Sequence, residues 1–234
     1  MLDINKHKRV NETLLAPLER PVLQWLAAHM PAWVTPDKLT GVGMIGAVVI
    51  FFGYSLTYYN KNFLWLACLG FIINWFGDSL DGTLARYRNI QRPKYGFFID
   101  HTMDALSEVL VFTGLGLSPY VHFGLAYLAL VGYLLMSILV YVRTCVNGEF
   151  KISYVKIGPT EMRLIAIGAN ILVYFIGNPT IRLPLVTATI YDFIVAIIAV
   201  LLLLIFLIST LRQANQLAKQ EAIPDTIVVG KTEG

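Results

Sequence analysis

The 234 residues are 56% hydrophobic and only 14% charged, with a mean hydropathy of +0.64, against about 45–50% apolar and about 25% charged in soluble domains. That composition excludes both an ordinary soluble globule and a disordered chain, because so much apolar surface must be kept from water. A net charge of +3 is too small to point to nucleic acid, and the two cysteines, Cys68 and Cys145, fall inside apolar runs where a buried free thiol is the ordinary outcome.

Residues 1–34 hold Lys6, Lys8, Arg9, Glu12, Glu19 and Arg20 before any long apolar run. No short charged-then-apolar leader is expected, and the chain is expected to start at Met1. Leu14, Leu15, Leu18, Val22, Leu23, Trp25 and Leu26 recur at helical spacing among polar residues, the pattern of an amphipathic helix lying in a membrane interface. Pro17 and Pro21 would bend it, and a helix packed against the first span is the alternative.

Six apolar runs follow, near Leu39–Tyr59, Phe63–Arg86, Gly96–Leu117, Val121–Val146, Glu161–Ile176 and Ala188–Thr210. Each is long enough to cross a hydrocarbon core of about 30 Å at about 1.5 Å per residue. Thr35 is placed to cap the first, with Pro36 at its first position and Asp37 near its positive end, and Pro159, Thr160 and Glu161 open the fifth in the same way. The expected fold is all-α and polytopic: a cytoplasmic segment over residues 1–34, a six-helix transmembrane catalytic domain over 35–212, and an unstructured cytoplasmic tail over 213–234. Six crossings put both termini on one side. Sixteen of the 18 Lys and Arg residues fall on that side, leaving Lys61 and Arg182 opposite, so the positive-inside rule places both termini in the cytoplasm.

Ionisable residues inside spans are costly and mark function by default. Asp78 and Asp81 lie near the end of the second span, Asp100 and Asp104 near the start of the third, and Glu108 one turn deeper. Spacings of three and four put each set on one helical face. Counted from the connecting loop, Asp78 and Asp104 both lie about 12 Å deep and should be level, with Asp81 and Asp100 nearer the surface. Converging carboxylates need a counter-charge, and a divalent cation such as Mg²⁺ or Mn²⁺, which takes oxygen ligands and bridges phosphates, is the natural one. Pairing with Arg86 and Arg88 is the simpler alternative, and a cation transporter the rival of another class. Gly82, Ala85 and Gly96 leave a bare wall beside the acids where a large planar or diphosphate group could approach closely, and Arg86 adds a fork-shaped phosphate donor.

The run Asp78-Ser79-Leu80-Asp81-Gly82-Thr83-Leu84-Ala85-Arg86, nine residues, then Gly96-Phe97-Phe98-Ile99-Asp100-His101-Thr102-Met103-Asp104 resembles the signature of the CDP-alcohol phosphotransferase family, with all eight signature positions filled. The six spans, the N-terminal helix and the stretch Thr35 to Thr40 resemble it too. The resemblance implies transfer of a substituted phosphate from a CDP-alcohol to an acceptor hydroxyl with release of CMP. It implies two divalent ions on Asp78, Asp81, Asp100 and Asp104, a nucleotide seated by Gly82, Ala85, Arg86 and Gly96, Asp104 as general base, and a homodimer. His101 after the third aspartate resembles the choline/ethanolamine branch, where that His is the proposed base, so Asp104 and His101 both stand as catalytic candidates. The donor is expected to be CDP-diacylglycerol, with a CDP-aminoalcohol and diacylglycerol as the alternative pair. Arg143, Lys151, Lys156 and Arg163 could line an acceptor pocket or serve as headgroup anchors. Glu108 is expected to back the ligands or to partner a neighbouring helix rather than to bind metal itself, Glu161 and Arg163 to lie near the active face without catalytic work, and Asp192 to snorkel at the outer end of the last span.

Overall fold

The computed structural model describes residues 14–147, 158–182 and 187–221. The expectations placed on Lys6, Lys8, Arg9, Glu12, Lys151 and Lys156 lie outside them. The described chain is all-α apart from one short hairpin. Helices α1 (Ala16–His29), α2 (Pro36–Leu56), α3 (Phe63–Tyr87), α4 (Pro93–Gly116), α5 (Phe123–Asn147) and α6 (Pro159–Ile176) are followed by β1 (Thr180–Arg182), β2 (Thr187–Thr189) and α7 (Ile190–Gln220). The antiparallel strands pair Thr180 with Thr189 and Arg182 with Thr187. Five helices, α2, α3, α5, α6 and α7, are long and apolar enough to cross a membrane. α4 matches them in length, but Asp100, Asp104 and Glu108 interrupt its apolar run.

The caps follow the local sequence. Thr35 Oγ1 accepts the Lys38 N–H at 3.3 Å and Pro36 opens α2. At α6 the Glu161 carboxylate accepts the Gly158 N–H at 2.9 Å and also the Leu15 N–H at 2.8 Å, so one buried acid finishes the N-termini of α6 and α1 together. α1 is a single helix despite Pro21. One face packs Leu23 and Ala27 with Leu80 and Leu84 of α3, while Leu18, Val22 and Trp25 are exposed on the other. α7 continues to Gln220, so residues 213–220 are helix rather than unstructured tail; apart from Asn215 the stretch consists of good helix formers, and it holds neither Gly nor Pro.

Lipid chains are as apolar as Leu, so helices in a bilayer associate through close packing rather than hydrophobic burial. α2 and α3 do so along a seam of small residues. A Cβ on Gly46 would sit 2.4 Å from Asn74 N, one on Gly77 2.2 Å from Gly43 N, and one on Gly53 2.5 Å from Ala67 N. α2 is central and packs on both α3 and α4, yet α3 and α4 barely touch one another. Near the ends of α2 and α6 the space between them is filled: Ile50, Tyr54, Leu64, Phe71 and Val173 form a core, with Val111 and Leu115 of α4 against it.

Asp192 does not snorkel. It is 1% exposed and accepts the His122 N–H at 2.7 Å and the Thr189 N–H at 2.8 Å, with His122 Nδ1 2.7 Å from its second oxygen. One carboxylate thereby caps α7 and ties down the residue that leads into α5, a better outcome for a buried charge than reaching for solvent.

Candidate active site

The acidic motif occupies the gap between α3 and α4. Asp78, Asp81, Asp100 and Asp104 are all half-buried. The charges acting on Asp81 come from Asp100 and Asp78, and those acting on Asp104 from Asp78, Asp100, Arg163 and Glu108, so the carboxylates of the two helices lie within electrostatic reach of one another. Ligand atoms of Asp100, His101 and Asp104 lie within 4.8 Å of one another.

Asp81 and Asp78 are held by different elements. Asp81 accepts the Thr40 hydroxyl of α2 at 2.6 Å and the backbone N–H of Gly82. Asp78 accepts Arg163 Nη2 of α6 at 2.6 Å, and the Nε of that arginine donates to Asn74 Oδ1 at 2.8 Å. Asn74 in turn donates to Gly43 O at 2.9 Å across the α2–α3 seam. The partner of Asp78 is therefore Arg163, and neither Arg86 nor Arg88 fills that place. Arg88 is spent on the turn between α1 and α2, where it donates to the carbonyls of Val34, Met30 and Pro31. Arg86 is exposed and donates to Thr83 Oγ1 at 3.1 Å.

Helical geometry turns His101 about 100° from Asp100 along the α4 axis, yet its ring folds back so that Nδ1 lies 3.6 Å from Asp100 and 4.0 Å from Asp104. Two aromatic rings hold it there. Tyr141 of α5 stacks on the imidazole at 5.0 Å and Phe97 meets it edge-on at 4.2 Å. One turn deeper, Glu108 hydrogen-bonds the Tyr133 side chain of α5. Arg143 donates to Ser209 O of α7 at 2.8 Å and so ties α5 to α7.

The small residues have room beside them. A Cβ on Gly96 would meet nothing within 4 Å, and one on Gly82 would meet only the mobile end of Arg86, at 3.3 Å. These glycines differ in kind from those of the α2–α3 seam. Thr40, Asn74, Tyr133 and Tyr141 were not singled out from the sequence. Thr40 carried a signal, since it closes the Thr35 to Thr40 stretch, whereas the other three depend on which helices become neighbours.

The model of the CDP-alcohol phosphatidyltransferase family matches residues 33–209. A phosphatidylinositol phosphate synthase of Cutibacterium acnes is 36% identical over 90 residues, 38% of this chain and 41% of that protein. Cholinephosphotransferase 1 of Danio rerio is 29% identical over 186 residues, 75% of this chain and 47% of its own. An archaetidylinositol phosphate synthase of Pyrococcus horikoshii is 32% identical over 104 residues, 44% and 52%. The chain spans about half the length of the curated relatives it matches. A cation transporter finds no support among them. The match runs from the start of α2 into α7 and takes in every aspartate of the motif; the chain belongs to the CDP-alcohol phosphatidyltransferase family.

Proposed function

We propose that this protein is an integral-membrane phospholipid-synthesis enzyme that moves a substituted phosphate from a CDP-alcohol to an acceptor hydroxyl and releases CMP. The observation that carries the reading is that Asp78 and Asp81 of α3 lie within electrostatic reach of Asp100 and Asp104 of α4, two helices that barely touch. Half-buried carboxylates with one histidine nearby form a donor set suited to hard divalent cations. Asp78, Asp81, Asp100 and Asp104 would hold two of them, Mg²⁺ or Mn²⁺. Bound there, such ions neutralise a diphosphate and stabilise the leaving CMP.

The chain itself supplies orientation and a proton acceptor. Gly82, Ala85 and Gly96 let the cytidine nucleotide approach the helix walls, and Arg86 reaches its phosphates. The acceptor oxygen bonds to the phosphorus that carries the alcohol, the bond from that phosphorus to CMP breaks, and the hydroxyl proton passes to Asp104 or His101. α4 crosses the membrane with the other five long helices, its carboxylates facing the gap rather than lipid. The charge bias puts both termini and the site in the cytoplasm, and the homodimer is part of the same reading.

CDP-diacylglycerol with a small polar acceptor is the preferred pair, supported by the likeness to a phosphatidylinositol phosphate synthase. A CDP-aminoalcohol with diacylglycerol is the second reading, favoured by His101 beside Asp100 and by the longer match to cholinephosphotransferase. The test is CMP release by purified protein in detergent, with Mg²⁺, Mn²⁺ or chelator, offering each donor against pooled acceptors. Chelator-sensitive CMP from one pair is the expected result. Metal-independent release, or no binding of CDP in the presence of metal, would overturn the proposal.

A further inference from the structure

Within the acidic gap, Arg163 enters from α6 and makes the 2.6 Å bond to Asp78 while only 14% of its side chain is exposed. The charges of Asp104 and Glu108 act on it as well. A guanidinium keeps its proton at any pH a protein meets, so this positive charge cannot be shed. It occupies one oxygen of a carboxylate that the metal reading assigns to a divalent ion, and it would repel that ion at close range. Its own hydrogen bonding is incomplete: Nη1 is buried with no partner among the described residues. Asn74 holds Nε, and is itself anchored to Gly43 O, so the guanidinium has a pivot about which Nη2 can leave Asp78 without the side chain leaving the site.

We propose that Arg163 is the internal counter-cation of this cluster, holding Asp78 while the site is metal-free and releasing it to a divalent ion. The inference rests on the metal reading above and goes beyond it by assigning a positioning residue outside the motif. Without Arg163 the metal-free cluster would face its own repulsion undamped. With it, the helices can assemble before metal arrives, at the cost of weaker metal binding. Coupling of this kind is reciprocal: whatever the guanidinium takes from metal affinity, the metal takes from the Arg163–Asp78 bond.

The test compares wild type, Arg163→Gln and Arg163→Lys as full chains in detergent. Mn²⁺ affinity is read from free Mn²⁺ by electron paramagnetic resonance, and the melting temperature is taken in chelator and in Mn²⁺. Arg163→Gln is expected to bind Mn²⁺ about 5- to 150-fold more tightly, the usual range of site coupling, and to show a larger Mn²⁺-induced rise in melting temperature. Arg163→Lys retains the charge and is expected to keep wild-type affinity. A residue of merely structural value would weaken binding when replaced, which is the opposite sign. Unchanged or weaker binding by Arg163→Gln, tightening by Arg163→Lys to the same degree, or an Arg163→Gln chain that folds no better in Mn²⁺ than in chelator would each overturn the proposal. Wild type that binds no Mn²⁺ would instead remove the metal reading beneath it.

Discussion

Thr40 on α2 donates its hydroxyl to Asp81 on α3 at 2.6 Å, so a residue outside the acidic motif sets the direction of one of its carboxylates. Partners behind a ligand are commonly worth about 10–100-fold in metal affinity or activity. Thr40→Val, which keeps the shape and removes the donor, is expected to shift the Mn²⁺ dependence of CMP release by an amount in that range, and Thr40→Ser to restore it. An unshifted Mn²⁺ curve in the valine variant would show that Asp81 needs no such support.

Asp78→Ala, Asp81→Ala and Asp100→Ala are each expected to abolish CMP release while the protein still purifies as a single species in detergent. Full activity in any one of them would sink the two-metal arrangement.

The glycines divide into two classes by what surrounds them. Gly46→Ala forces a methyl against Asn74 backbone at 2.4 Å and is expected to lower stability by about 1–3 kcal/mol, the ordinary range for overpacking. Gly96→Leu and Gly82→Leu meet open space or the end of Arg86, so they should melt like wild type yet fail to bind CDP. Thermal melts paired with CDP titration read both effects, and unchanged CDP affinity in the leucine variants would mean that the nucleotide lies on another face.

His101 and Asp104 compete for the proton of the acceptor. A positioned general base contributes about 10²–10⁴-fold, and Asp104→Asn is expected to lose at least that much turnover, with His101→Ala losing only a few-fold. The reverse order, measured under saturating metal, would transfer the role to His101 and make its stacking on Tyr141 a catalytic support.

At the far end, Asp192→Ala removes the acceptor for two backbone N–H groups and the His122 ring. Caps are worth about 1 kcal/mol each, so a loss of roughly 2–3 kcal/mol is expected in chemical or thermal unfolding. Turnover per folded molecule should be unaffected; a selective fall in turnover without lost stability would point to communication between the two ends.

Much was legible in order of residues alone. Periodicity and length located every long helix to within a few residues at most ends, Thr35 capped α2 as its chemistry requires, and the spacings of three and four aligned Asp78 with Asp81 and Asp100 with Asp104. These are local properties: a cap, a helical face and a run of apolar residues depend on neighbours a few positions away. The tail misled because polarity was read as disorder, whereas residues 213–220 are mostly good helix formers carried on from a span. Asp192 misled because His122 reaches it from a segment 70 residues away, while its bond with Thr189 is a local cap at the start of α7.

The sequence by itself therefore determined the class of protein, the helices and the acidic motif, since each follows from composition or from spacing along one helix. Only the tertiary structure decided that Arg163 rather than Arg86 or Arg88 pairs with Asp78, that Thr40 steers Asp81, and that His101 turns back between Phe97 and Tyr141. Those choices depend on how closely α2 and α3 approach along their glycine seam and on which face α5 and α6 turn to the gap. Packing between helices distant in sequence sets both, and no pattern within a single helix encodes it.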